Sequence, residues 1–364
     1  MSETLRRTPL FNFHVRNGAR IVPFAGWEMP VQYTSIIDEH NAVRTKAGLF
    51  DVSHMGECRV TGPDSARFLD RVMTNAMATI KPGAARYTVM CQPDGGCVDD
   101  LIVYRISEYE FFICLNAGNA KKDIAWMQEQ ARAEGFNVTI KDECDDWAQL
   151  APQGPLAEKI VAKLTAADLT AIKRFQFVVA TVAGVEGVII SRTGYTGSAG
   201  FELYIPAAGA EKVADALLEA GKPEGLLLAG LGCRDSLRLE ACYPLYGHEI
   251  SEVISPLQGG LGWVVKLDKS PAFIGQEALV AQKAAMPSKV VFFKLNDRRI
   301  ARQDTPVLSG EKQVGKVLSG TLSPLLNQPI GSALVCCDHA AGELVVDLRG
   351  NKVPVTVVAE PFYK

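Results

Sequence analysis

The stretch RYTVMCQPDGGCVDDLIVYRI, residues 86–106, constrains this chain more tightly than any other. Pro93, Asp94, Gly95 and Gly96 combine a fixed φ, a side chain that bonds its own backbone and two residues tolerant of positive φ. On either side stand β-branched and aromatic residues that suit a pleated surface. A β-hairpin follows, and with it an antiparallel pairing around which neighbouring elements must be arranged. Period 2 then separates two adjacent carboxylates. Asp100 shares a face with Ile102, Tyr104 and Ile106, and Asp99 shares the other with Leu101, Val103 and Arg105. A carboxylate set among apolar groups requires a partner or a shifted pKa, because burying an unpaired charge costs several kcal/mol or more. Asp99, nearer the turn, fits an acceptor of turn amides. Asp100 is a candidate for chemistry, with an ordinary structural acid as the alternative.

The flanking pattern extends this hairpin into a layer. SIIDEHNAV reads as a helix capped by Ser35 with Asp38 three residues on, and ECRVTG as a short strand. Pro63 opens a helix whose Phe68, Leu69, Val72 and Met73 form one apolar face. After the hairpin come a strand at YEFFICLN, a helix carrying Ile124, Met127 and Ala131 and stopped by Gly135, and a strand at NVTI. The order from about residue 55 to 142 is therefore that of an α+β layer with an antiparallel sheet and helices on one face. Strands continue at WAQLAPQG, FVVATVAG, GVEGVIISRTG and FELYIP. Two amphipathic helices interrupt them, one marked by Leu156, Ile160, Val161 and Leu164, the other by Val213, Leu217 and Leu218 with Gly221 at its end. Beyond about residue 250 the short strands KVVFFKL, VGKVLSGTL, ALVCC, ELVVDL and VPVTVVA recur at regular spacing, which predicts a small β-barrel or sandwich.

At 364 residues the chain is long enough for two or three domains with substantial cores. With 38 basic and 41 acidic residues and no Lys/Arg run or nucleic-acid module, no basic field invites nucleic acid. The nine cysteines are scattered and contain no C-x-x-C pair, so a reduced compartment is expected. The five histidines lack zinc-binding spacing, and no metal is expected. No stretch reaches the ~18 apolar residues of a membrane span, and no apolar region follows the two N-terminal arginines, so a soluble, untargeted, cytoplasmic protein is expected.

SRTGYTGSAGFELYIP is glycine-rich, yet no Lys-Ser or Lys-Thr follows and strand residues rather than a helix come next. Gly194, Gly197 and Gly200 therefore read as hairpin residues, not a phosphate cradle. GLLLAGLG likewise lacks dinucleotide-binding spacing. Tyr195 and Glu202 project from this tight hairpin. Surface residues are the plain reading, but a carboxylate held rigidly on a strand can accept two parallel N–H bonds from a planar guanidine-like edge. GLGCRDSLRLEACYPLYGHE predicts a helix with Arg234 and Arg238 one turn apart and Asp235 and Glu240 nearby, where ion pairs within the helix are the simple expectation. Trp263 in GLGWVV is ordinarily core packing.

No single motif names a reaction, but their joint order resembles the aminomethyltransferase, or T protein, family of the glycine cleavage system. The resemblance rests on TPLFNFHVRNGARIVPFAGWEMPVQY, AVRTKAGLFDVSHMGE, DGGCVDDLIVY, SRTGYTGSAGFEL, GLGCRDSLRLEACYPLYGHEI and GWVVKLDK, and spans nearly the whole chain. It implies three domains in a cloverleaf around a central folate site: residues 1–54 with 143–248, residues 55–142, and a C-terminal barrel or jelly-roll-like domain at 249–364. It also implies that Asp100 is the catalytic carboxylate, that Glu202 grips the pterin edge, and that Arg234 lies at the folate site. Met55, Tyr87, Tyr104, Asn116, Tyr195, Tyr243, Trp263 and, in the more variable terminal segment, Tyr363 would supply walls and hydrogen bonds. Cys233 and Cys242 stand where the family usually has small residues, and His248 where amide side chains are common. The signature of the related folate-dependent iron–sulfur maintenance proteins is replaced by YPLYGHE.

The implied reaction moves a methylene unit from an aminomethyl group, carried on the lipoyl arm of a partner H protein, to tetrahydrofolate with release of ammonia. Expulsion of thiolate leaves an electron-poor carbon that a nearby carboxylate can stabilise. A monomer needing no metal is expected. Two alternatives stand beside this reading: a folate-dependent demethylase or one-carbon transferase acting on a small donor, and a folate-binding assembly factor without turnover.

Overall fold

The computed structural model describes residues 4–359 and 361–363. Along the chain run α1 (Phe11–Arg16), β1 (Arg20–Phe24), β2 (Trp27–Gln32), α2 (Ile36–Thr45), β3 (Gly48–Asp51), β4 (Gly56–Thr61) and α3 (Ser65–Val72). The predicted hairpin is β5 (Ala85–Cys91) and β6 (Cys97–Ser107), followed by β7 (Glu110–Leu115), α4 (Ala120–Ala133) and β8 (Thr139–Asp142). Next come β9 (Trp147–Gln153), α5 (Ala157–Val161), β10 (Phe177–Val182), β11 (Val185–Ser191), β12 (Glu202–Pro206), α6 (Ala210–Gly221), β13 (Leu227–Ala229) and α7 (Leu231–Glu240). The last elements are α8 (Gln276–Ala284), β14 (Ser288–Leu295), β15 (Pro306–Ser309), β16 (Lys312–Ser323), β17 (Gln328–Cys336), β18 (Val345–Leu348) and β19 (Asn351–Val358).

Contacts divide the chain into two compact units, the first holding residues 1–65, 80–86 and 102–235 and the second residues 66–79, 87–101 and 236–364. In the first, β10-β11-β12-β9-β3-β13 form a six-stranded sheet. Its pairs are antiparallel except β13 with β3, which run parallel. Alternation makes this sheet two-faced. Ile190, Leu203 and Leu150 pack with Ile160 of α5 and Val213 and Leu217 of α6. Ile189 and Tyr204, one residue out of phase, join Tyr104, Phe112 and Phe177 in an aromatic cluster. Each such apolar side chain contributes roughly 1.5–3 kcal/mol on burial. A second sheet has the order β5-β6-β7-β4-β8.

The second unit contains a closed barrel, β14-β17-β16-β15-β18-β19, filled by Phe293, Leu295, Val317, Val335 and Val346. The alternatives left open by the C-terminal pattern resolve to a barrel. The fold is thus α+β with antiparallel sheets and a terminal β-barrel.

Ser35 caps α2 as its sequence predicts, its hydroxyl accepting from the Asp38 amide at 3.1 Å. α6 ends at Gly221 as its sequence predicts, and a 3₁₀ turn over Lys222–Glu224 follows, closed by Gly225 at φ +74°. α8 escapes the hydrophobic pattern because Leu279 is its one buried residue. No described helix is long and apolar enough to cross a membrane.

Candidate functional site

In the first unit the candidate residues gather where β12 begins. Glu202 lies opposite Ser191 on β11, and its same-face neighbour Tyr204 lies opposite Gln149 on β9. The two strands therefore present Glu202 and Gln149 on one face. Gln149 Nε2 donates to Glu202 Oε1 at 3.0 Å. Glu202 Oε2 is buried and has no hydrogen-bond partner among the described residues. Burial pushes this carboxyl above its ordinary range, against the opposing pull of Thr193, Arg234 and Gln149. At 8% exposure Glu202 is a buried acid rather than a surface residue.

The glycine-rich loop before Glu202 is packed onto the end of β9. Gln153 Nε2 donates to the carbonyls of Thr193 and Phe201 at 3.2 and 2.9 Å, and Thr196 Oγ1 donates to Gln153 Oε1 at 2.9 Å. A Cβ on Gly194 would come within 2.1 Å of that Gln153 oxygen, and one on Gly200 (φ +158°) within 2.6 Å of the Pro152 carbonyl. These are hairpin glycines, as the sequence indicates, and they let the loop lie flat so that Glu202 is fixed.

Arg234, in the first turn of α7, lies over the ring of Tyr195 with its guanidinium 4.4 Å from the centroid. The structure thus brings together Tyr195, Arg234 and Glu202. Tyr104 is wholly buried; its hydroxyl meets Tyr204 at 2.9 Å and Thr193 at 3.3 Å, so it stands behind Thr193 and supports it. Met55 is half-buried against the same aromatic cluster. Asn116 is half-buried at the turn from β7 into α4, where its carbonyl accepts from Asn119 and Ala120.

Sequence reasoning passed over Gln149 and His54. A glutamine between Ala148 and Leu150 in a buried strand was the available signal. His54 is 4% exposed, and burial, then the charge of Arg234, push its pKa down to about 4. Its Nδ1 has no partner among the described residues. Nearby, His14 bridges the Tyr33 hydroxyl and Asp51 at 2.8 Å each, while the Ser53 amide donates to the other oxygen of Asp51 at 2.8 Å.

In the second unit, Tyr87 donates its hydroxyl to Asp100 Oδ2 at 2.7 Å and stacks on Trp263, the centroids 5.8 Å apart and the planes 25° from parallel. Trp263 is 59% exposed, so it is a surface wall rather than core. β6 alternates as predicted, with Asp99 and Leu101 buried and Asp100 half-buried. The expected turn-acceptor role of Asp99 is not met at three amides: Gly95, Gly96 and Cys97 donate to Gln92 O, Asp94 Oδ1 and Ser251 O.

Tyr243 and Tyr363 flank the C-terminal end of α7, their amides donating to the carbonyls of Arg238 and Glu240 at 2.9 and 3.0 Å. The charges of this helix turn outward from it. Arg238 is wholly buried and pairs with Glu249 at 3.0 Å, donating also to Ser319 at 2.9 Å, while Glu240 accepts from Ser323 at 2.6 Å. Arg238 thus reaches well beyond its own helix. All nine cysteines are free, and no described group of His, Cys, Asp and Glu could hold a metal ion.

The chain thus joins a long α+β region that carries a buried acceptor to a closed six-stranded barrel. Residues 10–269 match the family model described as the GCVT N-terminal domain, and residues 289–364 the glycine cleavage T-protein C-terminal barrel domain. The chain is 48% identical to an aminomethyltransferase of Geobacillus thermodenitrificans, covering 99% of each chain. It is 47% identical to one of Desulforamulus reducens, covering 100% of this chain and 99% of the relative. The crystal structure of glycine cleavage system aminomethyltransferase T from Bartonella henselae superposes with a TM-score of 0.91 at 32% identity, covering 98% of each chain. The chain belongs to the aminomethyltransferase family, the T proteins of the glycine cleavage system, and is a transferase.

Proposed function

We propose that the chain takes the methylene unit of an aminomethyl group, presented on the lipoyl arm of the H protein, and passes it to tetrahydrofolate, releasing ammonia. Glycine-cleavage aminomethyltransferases use tetrahydrofolate, and the first unit suits such an acceptor substrate. The observation that carries the reading is Glu202. A buried carboxylate with one unpartnered oxygen is an acceptor awaiting a donor edge, and the 2-amino and N3–H groups of a pterin supply one. Arg234 and Tyr195 beside it offer a cation and a flat surface.

Asp100 is the proposed catalytic carboxylate. Tyr87 fixes its orientation through one oxygen, and Trp263 holds Tyr87 in turn. A carboxylate so held can stabilise the electron-poor carbon left when the carrier thiolate departs and can help move protons. Met55, Asn116, Tyr243, Trp263 and Tyr363 belong to this reading as walls, as does the three-domain division at 54, 142 and 248. A cytoplasmic, monomeric enzyme fits it.

The test is turnover of an aminomethylated lipoyl H protein with tetrahydrofolate. Formation of 5,10-methylenetetrahydrofolate and ammonia in equal amounts is the expected result. Turnover of a small N- or S-methyl donor instead would favour the demethylase, and binding without turnover the assembly factor.

A further inference from the structure

We propose that Gln149 is a positioning residue for tetrahydrofolate binding, which sets the rotation of the Glu202 carboxylate so that Oε2 is left for the ligand. This rests on the reading of Glu202 as the acceptor of the pterin edge.

Gln149 is 1% exposed and is held at both backbone and side chain. Its amide donates to Ser53 Oγ at 3.0 Å, and its carbonyl accepts from the Val52 amide at 2.9 Å. Its side-chain oxygen faces the Cys114 thiol, which donates to it at 3.6 Å, while its side-chain nitrogen donates to Glu202 Oε1 at 3.0 Å. Thiol and carboxylate together fit one orientation of the amide. Burial holds Cys114 protonated, so it can donate to the oxygen end of the amide, while the acceptor-only carboxylate takes the N–H₂ end. The chain Cys114 to Gln149 to Glu202 thus carries one direction of hydrogen bonding from β7 of the five-stranded sheet to β9 and β12 of the six-stranded one.

A carboxylate bonded at one oxygen by a fixed donor cannot spin, so its other oxygen has a fixed direction. The same N–H favours the ionised form that can accept from a ligand. The titratable groups around Glu202 are Arg234, Tyr104 and Cys114 from other elements and Tyr204 from β12 itself. Burial keeps both phenols and the thiol neutral, so Arg234 is the charge among them and Gln149 supplies a neutral, directional contribution.

The experiment is calorimetric titration of the full-length protein with tetrahydrofolate across pH 5.5 to 8.5, for the parent, Gln149→Met and Glu202→Gln. Methionine matches glutamine in length and has no donor. Affinity requires ionised Glu202, so it is full above that group's pKa and is lost as pH falls through it. Removing the N–H raises that pKa, so Gln149→Met should bind about tenfold more weakly and lose affinity about one pH unit higher than the parent. The KM for tetrahydrofolate should rise by more than kcat falls. Parental affinity, or weakened affinity with an unmoved acid limb, would overturn the positioning role while leaving Glu202 in place. Parental affinity in Glu202→Gln would instead overturn the reading beneath it. If circular dichroism shows Gln149→Met unfolded, Gln149→Leu, which also lacks the donor, is read in the same way, and a parental acid limb there overturns the proposal.

Discussion

Asp100 and Asp99 are adjacent in the chain and differ in everything that matters to chemistry. Asp100 is half-buried with a phenol on one oxygen, whereas Asp99 is wholly buried on the opposite side of β6. Asp100→Asn preserves size and removes the charge and the proton acceptor, so single-turnover transfer from the carrier-bound donor should fall by roughly 10² to 10⁴ with folate affinity little changed. Asp99→Asn should show its effect in urea unfolding and leave transfer within a few-fold of the parent. A parental single-turnover rate for Asp100→Asn would remove that acid from the reaction. Glu202→Gln complements this pair, because losing a charge-assisted acceptor costs ~1.5–3 kcal/mol. Tetrahydrofolate affinity should therefore drop about ten- to a hundredfold with a smaller change in the rate of the bound complex.

Among the elements, the glycine loop between β11 and β12 does most to place a functional side chain. Gly200 adopts φ +158° with the Pro152 carbonyl where a Cβ would go. Gly200→Ala should cost about 1–3 kcal/mol in urea unfolding and weaken folate binding as Glu202 shifts. Parental stability would show that the loop has room. This loop was legible in the sequence because glycine spacing and the strand residues after it betray a hairpin. The β5–β6 hairpin was legible for the same reason, and the barrel through its evenly spaced β-branched runs. What stayed hidden were contacts between residues distant in the chain. Nothing local marks Arg238 for Glu249, or Gln149 for Glu202 across 53 positions. β13, with three residues, and α8, with one buried side chain, carry too little pattern to register. The resemblance named Glu202, but only the fold shows that one of its oxygens is engaged and the other is not.

For the whole molecule, acid stability is set by groups whose folded and unfolded pKa values differ. His54 titrates near 4 when folded and near 6.5 when unfolded, so between these values the unfolded chain binds the extra proton and stability falls as pH falls. The loss amounts to about 3 kcal/mol across that window. Glu57, pushed up by burial and then by Asp142 and Glu143, works in the opposite direction, its contribution being lost as pH rises. The difference between parent and His54→Gln in urea unfolding is therefore the measurement: the variant should lose about 3 kcal/mol less between pH 6.5 and 4. An identical pH profile would mean that His54 protonates freely in the folded protein. At the same scale, an H-protein-bound donor should give a higher kcat/KM than free aminomethyl-lipoate, since contacts far from the reacting carbon assist positioning. Equal efficiencies would favour the small-donor alternative.

β19, the last strand among the described residues, closes the barrel by pairing with β14 on one side and β18 on the other. A ring has no expendable member. A protein cut before Asn351 would lose not a fraying tail but a stave, and the gap would bare two rows of unpaired backbone N–H and C=O groups at once. Such rows are templates for another chain. Premature termination in this segment should therefore yield self-associating material, visible as light scattering and early elution from a sizing column, rather than a monomer that is merely less stable.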